Sequence, residues 1–461
     1  MNVVFEDLKN QRNLVKPNEV TDSGISRTNV SPYFNRLHLS KSYSKLINPL
    51  DVDPNPDPLG KPKTDGRNFI EYENVKFPYS EYKNPNEFKG KYIIPVGVNE
   101  DPLFWTGKMN NWPHLFELLN DQYLKDLQSK RAFLAIDTSL EGYHTEWLWD
   151  WFRKSSSDYK IPISQIIYIT GNSIVEDSLD NWKLNNNNKK NVTAIGYPHF
   201  EFEANFNKDI LYQEGKTLPT WHDHYNFKKK NQSKIKLYNF LNRKPRSHRM
   251  FFYSLLYHNK NLLDKGIVSI NKSWGDVIKV GNHILDPEIV NSLNEDLPIR
   301  AFGEDNTGNP GYFISRFHTK AYLHSYISLI SEAQFDDEQN TIFLSEKIFK
   351  VIACQQPFIV LGNKHSLREL RKMGYKTFSN AWHEGYDICD NINRMKAIID
   401  VLENIKGLPK MDLLHWTQHN VERNFDILKF NSLFKPPVGF HNIRELLEED
   451  LCTTTLDKII I

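Results

Sequence analysis

Short apolar runs alternate with stretches of helical period twice along this chain, and that alternation restricts the fold more than any other feature of the sequence. The first series opens at Tyr92-Ile93-Ile94-Pro95-Val96-Gly97, passes through a helical stretch over 115–127 and reaches Ala132-Phe133-Leu134-Ala135-Ile136-Asp137. A helical stretch over 145–152 then leads to Gln165-Ile166-Ile167-Tyr168-Ile169-Thr170-Gly171-Asn172, and Val192-Thr193-Ala194-Ile195-Gly196 adds a further strand. Apolar strands joined by segments long enough for a helical crossover predict a parallel sheet.

The pattern restarts at Ile235-Lys236-Leu237-Tyr238-Asn239-Phe240-Leu241-Asn242. It continues with a helix over 246–257, a strand at Ile267-Val268-Ser269-Ile270, a long polar stretch that includes 303–311, and an apolar run over 326–330. Ser345 then stands where it can cap a helix whose apolar positions Ile348, Val351 and Ile352 fall on one face; Pro357 ends it, and Phe358-Ile359-Val360-Leu361-Gly362 reads as a buried strand. Residues 366–373 are helical with Gly374 placed to stop them, and Tyr375-Lys376-Thr377-Phe378 is predicted to be the next strand.

The expected fold class is α/β, with two Rossmann-like domains over 89–234 and 235–405 facing across a cleft. Residues 1–88 are polar, carry nine prolines from Pro17 to Pro85 and show no sustained period, so an extended N-terminal arm is expected. Residues 406–461 form a C-terminal helical segment. Lys228-Lys229-Lys230-Asn231-Gln232-Ser233 reads as the linker between the domains, and the asparagine-rich stretch over 185–191 as an exposed loop.

Charge narrows the function. With 58 Lys and Arg against 57 Asp and Glu, the chain lacks the basic excess of a nucleic-acid binder or a membrane-surface protein, so small substrates and uncharged polymers fit better. Three cysteines, Cys354, Cys389 and Cys452, are too few for a disulfide framework or a structural zinc cluster and suit a reducing compartment. The first nine residues lack the features of a signal peptide, and no apolar run approaches about 18 residues, so a cytoplasmic protein without a membrane span is expected. Aromatic residues make up 13% of the chain; they serve a packed core or stacking on sugar rings, and composition does not choose between the two.

Chemistry concentrates in two segments. In Asn242-Arg243-Lys244-Pro245-Arg246-Ser247-His248-Arg249, four of eight residues are basic, and they fall between a strand and the start of a helix, where free backbone N–H groups favour an anion such as a diphosphate. His248 is placed to touch the same phosphate. In the second segment Glu346 suits the positive end of its helix, whereas Lys347 opposes that dipole at ~0.3–1 kcal/mol unless an anion lies close. Both are equally readable as solvated surface charges; the functional reading has Glu346 accepting hydrogen bonds from a ribose while Lys347 and Arg249 hold a diphosphate. Asp51-Val52-Asp53 has metal-ligand spacing but lies in a proline-rich loop with no apolar strand before it; His222-Asp223-His224 has the spacing that puts two imidazoles on one strand face but no matching third ligand, and Cys354 reads as packing. Phosphate-loop, nucleophile-elbow and dinucleotide-fingerprint motifs are absent.

The helix opened by Ser345-Glu346-Lys347, followed by Gln355-Gln356-Pro357-Phe358-Ile359-Val360-Leu361-Gly362, resembles the donor-binding signature of the α1,3-fucosyltransferases and, more loosely, of the exostosin-type glycosyltransferases. Upstream, Asn242 with Arg249, Phe252, Tyr253 and Leu255 is similar to the family's segment in which an arginine reaches the donor diphosphate, and 326–332 takes the place of its strand before the Glu-Lys helix. The resemblance spans about 240–380, with Ser345 in place of threonine and Ala333 where asparagine is common. It implies a GT-B-type transferase, donor nucleotide-sugar in the C-terminal domain, acceptor on the N-terminal one, with Arg249, Glu346 and Lys347 as donor contacts, joined by Arg243 and His248 from the basic cluster. No metal and no cofactor beyond the nucleotide-sugar are implied.

Such a reaction needs a carboxylate to take the acceptor proton and positive groups to meet the leaving diphosphate. Glu141, which follows an apolar strand and precedes Gly142, is the expected base, with Glu100 and Asp101 next. The expected function is therefore an inverting, metal-independent glycosyltransferase acting on a glycan or other hydroxyl acceptor. The alternative is a non-catalytic binding or structural protein that keeps the fold and uses residues 1–88 to attach to a protein partner.

Overall fold

A computed structural model describes strands at 2–4, 68–72 and 75–82 and most of 91–433; 99–101, 109–113, 120, 144–145, 187–191, 206–216, 274, 276, 302–316, 318, 336–340, 434–461 and the rest of 1–90 lie outside the described residues. The chain divides into two compact units, Met1–His199 with Leu433–Ile461, and Phe200–Ser432.

The first unit is built on a seven-stranded sheet in the order β2-β3-β1-β4-β5-β6-β7. Its strands are β1 (Asn2–Val4), β2 (Asn68–Tyr72), β3 (Val75–Tyr82), β4 (Tyr92–Gly97), β5 (Ala132–Thr138), β6 (Ile166–Thr170) and β7 (Thr193–Gly196). β2 runs antiparallel to β3; the other pairings are parallel. Every residue of β5 and β6 is buried, as a parallel sheet covered on both faces requires. Three stretches of the expected N-terminal arm are thus strands of this sheet, while Asp51-Val52-Asp53 lies outside the described residues.

Here the aromatic residues go into the core. Trp105 meets Trp151 edge-on at 5.3 Å, and Trp149 meets Tyr168 at 5.9 Å. The Trp151 indole N–H donates to the Thr106 carbonyl at 2.9 Å, which lets a large polar-tipped ring be buried without an unmet donor.

The second unit carries a four-stranded parallel sheet of β8 (Lys236–Leu241), β9 (Gly266–Ser269), β12 (Ser325–Ser331) and β13 (Phe358–Leu361), in the order β13-β12-β8-β9. The short antiparallel pair β10 (Lys279–Val280) and β11 (His283–Ile284) is separate. After β8 the chain places β9 on one side and later places β12 on the other, so the winding reverses between β8 and β12.

This unit begins well before the expected boundary at 235. The segment read as a linker closes a helix, Trp221–Lys230, started by a capping box between Thr220 and Asp223. That helix is tied down by the Trp221 N–H to Gln355 Oε1 at 2.8 Å, His224 Nε2–H to the Cys354 carbonyl at 2.8 Å, and Lys228 Nζ to Gln356 Oε1 at 3.0 Å. A lysine run in sequence thus hides one fully buried lysine, Lys228.

Residues 375–378, expected as a strand, are not one. Their backbone groups are taken by side chains instead: Asn424 bonds both the N–H and the carbonyl of Lys376, Asn420 donates to the Thr377 carbonyl, and the Phe378 N–H donates to Glu384. Those asparagines belong to the Lys410–Leu433 helix, which with Asn391–Lys406 forms part of the second unit.

Candidate ligand site at the carboxyl edge of the second sheet

In open parallel sheets, a reversal of strand order leaves a crevice at the carboxyl ends of the two strands that flank it, because their crossovers depart to opposite faces. β8 is followed there by Asn242, and β12 by Glu332.

Asn242 is 4% exposed; its N–H donates to the Ser269 carbonyl at 2.6 Å, but neither atom of its side-chain amide has a partner among the described residues. The chain then turns through Pro245 into the Ser247–His258 helix, whose N-cap, Arg246, supplies no side-chain cap. Arg246 reaches across to donate to the Ala333 carbonyl. Arg249, one turn into the helix, donates to the Lys244 carbonyl at 3.1 Å, to Ser331 Oγ and its carbonyl at 3.3 and 3.2 Å, and to the Glu332 carbonyl at 2.9 Å. Burial and the neighbouring Arg246 lower its pKa to about 10, against the pull of Glu332 and Glu346.

His248 lies flat against Phe335 with ring centroids 5.4 Å apart, and its Nε2 meets the Glu332 carbonyl at 3.1 Å. A carbonyl only accepts, so Nε2 carries the proton. Burial, then Arg249, hold the ring well below the ordinary imidazole range, and His248 is neutral. Arg243 is half-buried, and its carbonyl accepts from Asn271 Nδ2 at 2.7 Å.

From β12, Glu332 is fully buried. Its Oε2 accepts from the Ser345 hydroxyl, from the Ser345 N–H at 3.3 Å and from the Ala333 N–H at 3.2 Å, whereas Oε1 has no partner among the described residues. Burial raises its pKa; Lys347 and the Ser345 bonds oppose that. Gly362, directly after β13, makes room: a Cβ there would stand 3.2 Å from Glu332 Cγ and 3.1 Å from Ser366 Oγ.

Ser345 caps the Glu346–Ala353 helix as the sequence predicts, its hydroxyl accepting from the Lys347 N–H at 3.4 Å. Lys347 Nζ bonds Glu346 Oε1 at 2.8 Å and Ser345 Oγ at 3.1 Å, which is how the helix tolerates a cation in its first turn. Burial pushes the Glu346 carboxyl up, but Lys347 and Lys350 outweigh it and hold the pKa at about 2. No protein-family model matches this chain, and no curated protein matches it.

Of the residues singled out in sequence, Arg249, His248, Glu346 and Lys347 therefore converge on one strand edge. Their electrostatic coupling agrees: Arg249 feels Glu332 and Glu346, and His248 feels Lys347. Glu141 belongs to the first unit, where its N–H bonds the Thr138 carbonyl at 2.9 Å and its own carbonyl accepts from Gly171 N–H at 2.9 Å, stitching the β5 end to β6. Glu100 and Asp101 lie outside the described residues. His222 and His224 sit on a helix, not a strand, so two positions turn them to different sides: His222 is exposed and His224 buried. Cys354 is buried with its thiol pKa pushed up by burial, which suits packing. Among the described residues no group of three His, Cys, Asp or Glu is placed to hold a metal, and no helix is long and apolar enough to cross a membrane.

Asn242 and Glu332 were not expected as site residues. Each is a polar residue directly after an apolar strand, which is visible in sequence; that the two strands are neighbours flanking a reversal is not.

Proposed function

We propose that this protein is an inverting, metal-independent glycosyltransferase whose second unit binds a nucleoside-diphosphate sugar at the β8–β12 reversal and whose first unit serves the acceptor. One observation carries the reading: a buried amide, Asn242, and a buried carboxylate oxygen, Glu332 Oε1, are left without partners at the two strand ends where a parallel sheet binds ligands. Leaving such a group unmet costs about 1–3 kcal/mol, a cost that a ligand carrying hydroxyl or N–H donors removes. Glu346, held ionised, suits a ribose diol, and Lys347 and Arg243 suit a diphosphate.

In the reaction so drawn, a carboxylate takes the proton of the acceptor hydroxyl as that hydroxyl oxygen bonds the anomeric carbon. The bond from that carbon to the diphosphate oxygen breaks, and the departing negative charge falls to Lys347 and Arg243. A second reading has its own support. Arg249 and His248 spend their hydrogen bonds on backbone carbonyls, as expected of a fold kept for binding or scaffolding rather than turnover.

Two measurements separate the readings. Millimolar UDP or GDP should raise the melting temperature of the wild type and not of Glu346→Ala. A panel of nucleotide-sugars should give release of nucleoside diphosphate with at least one donor. Binding without release favours the scaffold; neither binding nor release removes the donor site altogether.

A further inference from the structure

Glu346 and Lys350 stand one helical turn apart on the Glu346–Ala353 helix, with the acidic residue first, the order in which such a pair attracts most strongly. The side chains of Lys347 and Glu346 keep 27% and 16% of their surface, whereas Lys350 keeps 5%. The carboxylate therefore lies between one lysine that reaches solvent and one that does not. Lys347 is bound to Glu346 and Ser345. An anion that draws Lys347 outward takes it from Glu346, and a largely buried carboxylate then loses its counter-ion unless another cation stays in place.

The geometry points to Lys350 as the positioning residue of this site: it remains as the counter-charge of Glu346 when Lys347 turns to an anionic ligand, so that the ligand meets a fixed carboxylate and a released ammonium together. This rests on the nucleotide-binding reading above. The groups that face Lys350 are Glu346 and Lys347 on its own helix, Glu203 from the preceding part of the unit, and the Cys354 thiol. Glu346 is faced by Lys347 and Lys350, with Arg249 and Glu332 within electrostatic reach. Burial lowers the Lys350 pKa to about 8, with Glu346 pulling it up and Lys347 pushing it down. When Lys347 departs, that push is lost and Lys350 holds its proton more tightly. Ligand binding then takes up protons near this pH, and affinity falls as the pH rises through it.

The test is calorimetric titration of the full chain with UDP and GDP across this alkaline range, repeated in two buffers of different ionisation enthalpy to count protons. The wild type should take up protons and lose about tenfold in affinity. Lys350→Met and Lys350→Gln should bind more weakly with neither proton uptake nor a pH slope, while Lys350→Arg should keep the affinity and lose the slope. If the Met and Gln variants retain the wild-type proton uptake and slope, Lys350 is not the positioning residue although the site stands. If neither nucleotide binds the wild type while it remains folded, the nucleotide-binding reading fails and this inference with it.

Discussion

In the first sheet, β4 to β7 lie side by side in chain order, and polar residues at their carboxyl ends close largely on one another; in the second, the order turns back between β8 and β12. At the first edge Asp137 accepts from the Ser139 N–H at 2.9 Å, Thr138 Oγ1 bonds Tyr168 and the Ile169 carbonyl, and Asn172 Oδ1 takes the Ile174 N–H at 3.2 Å. At the second edge both amide atoms of Asn242 and one oxygen of Glu332 stay unmatched beside strongly bonded neighbours, whereas the first edge leaves the Ser139 hydroxyl unmatched. The crossovers from β4 to β7 all pass on in the same direction, the first sheet's own reversal lying at β1, while the reversal at β8 and β12 parts its crossovers and leaves polar strand ends that local turns do not cover.

The second edge depends most on Arg249. Arg249→Leu leaves carbonyls of Lys244, Ser331 and Glu332 without their buried donor, and should lower the unfolding free energy by about 3 kcal/mol, read from urea denaturation. A loss near zero would mean that the second edge is held together by something other than this arginine.

Replacing the unmatched groups should work in the opposite direction. Glu332→Gln preserves the acceptor for Ser345 but removes the buried charge, and Asn242→Leu removes the unmet amide. Because burial raises the Glu332 pKa, this carboxyl favours the fold at low pH and loses that contribution as the pH rises through its folded value. At neutral pH each variant should therefore be more stable than the wild type by about 1 kcal/mol while binding nucleotide more weakly, the expected pattern where function holds a residue against stability. Equal or lower stability in both variants would make the second edge as self-sufficient as the first.

Much of this was legible in sequence because burial on both faces leaves an unmistakable signal: the apolar runs of β4, β5, β6, β8, β12 and β13 stand out, and Ser345 marks its helix start by side-chain chemistry alone. What escaped depended on distant partners. Residues 375–378 have strand-like composition, yet asparagines from the Lys410–Leu433 helix claim their backbone. Lys228 looks like linker charge until Gln356 and the Tyr326 ring, 5.7 Å away, are brought beside it. The pairing of Asn242 with Glu332 needs the strand order, which no local window contains.

Acid should weaken the second unit more than the first. His224 and His248 are held well below the ordinary imidazole pKa, by burial and then by Lys228 and Arg249 respectively; His114 in the first unit is lowered by burial, with Glu117 and Asp158 opposing. The unfolded chain therefore binds these protons first, and stability is lost as the pH falls below about 6.5. In urea melts across that range, His248→Gln and His224→Gln should each flatten the pH slope more than His114→Gln. A larger change at His114 would reverse the ranking of the two units.

The smallest effect is expected on the surface of the first unit, where Lys108 Nζ lies 3.3 Å from the centre of the Trp147 ring. Lys108 is exposed and the indole half-buried, so the attraction between ammonium and ring is worth roughly 0.5 kcal/mol. Lys108→Gln should lower stability by no more than this and leave nucleotide binding unchanged. Lys108 and Lys347 are both lysines that reach solvent and are held by close contacts, an aromatic face in one case, a carboxylate and a hydroxyl in the other. If function depends on a cation that can be released, only the lysine beside the strand-order reversal should matter to a nucleotide. A binding defect in Lys108→Gln would mean that the reversal does not set the anion site apart from other exposed lysines.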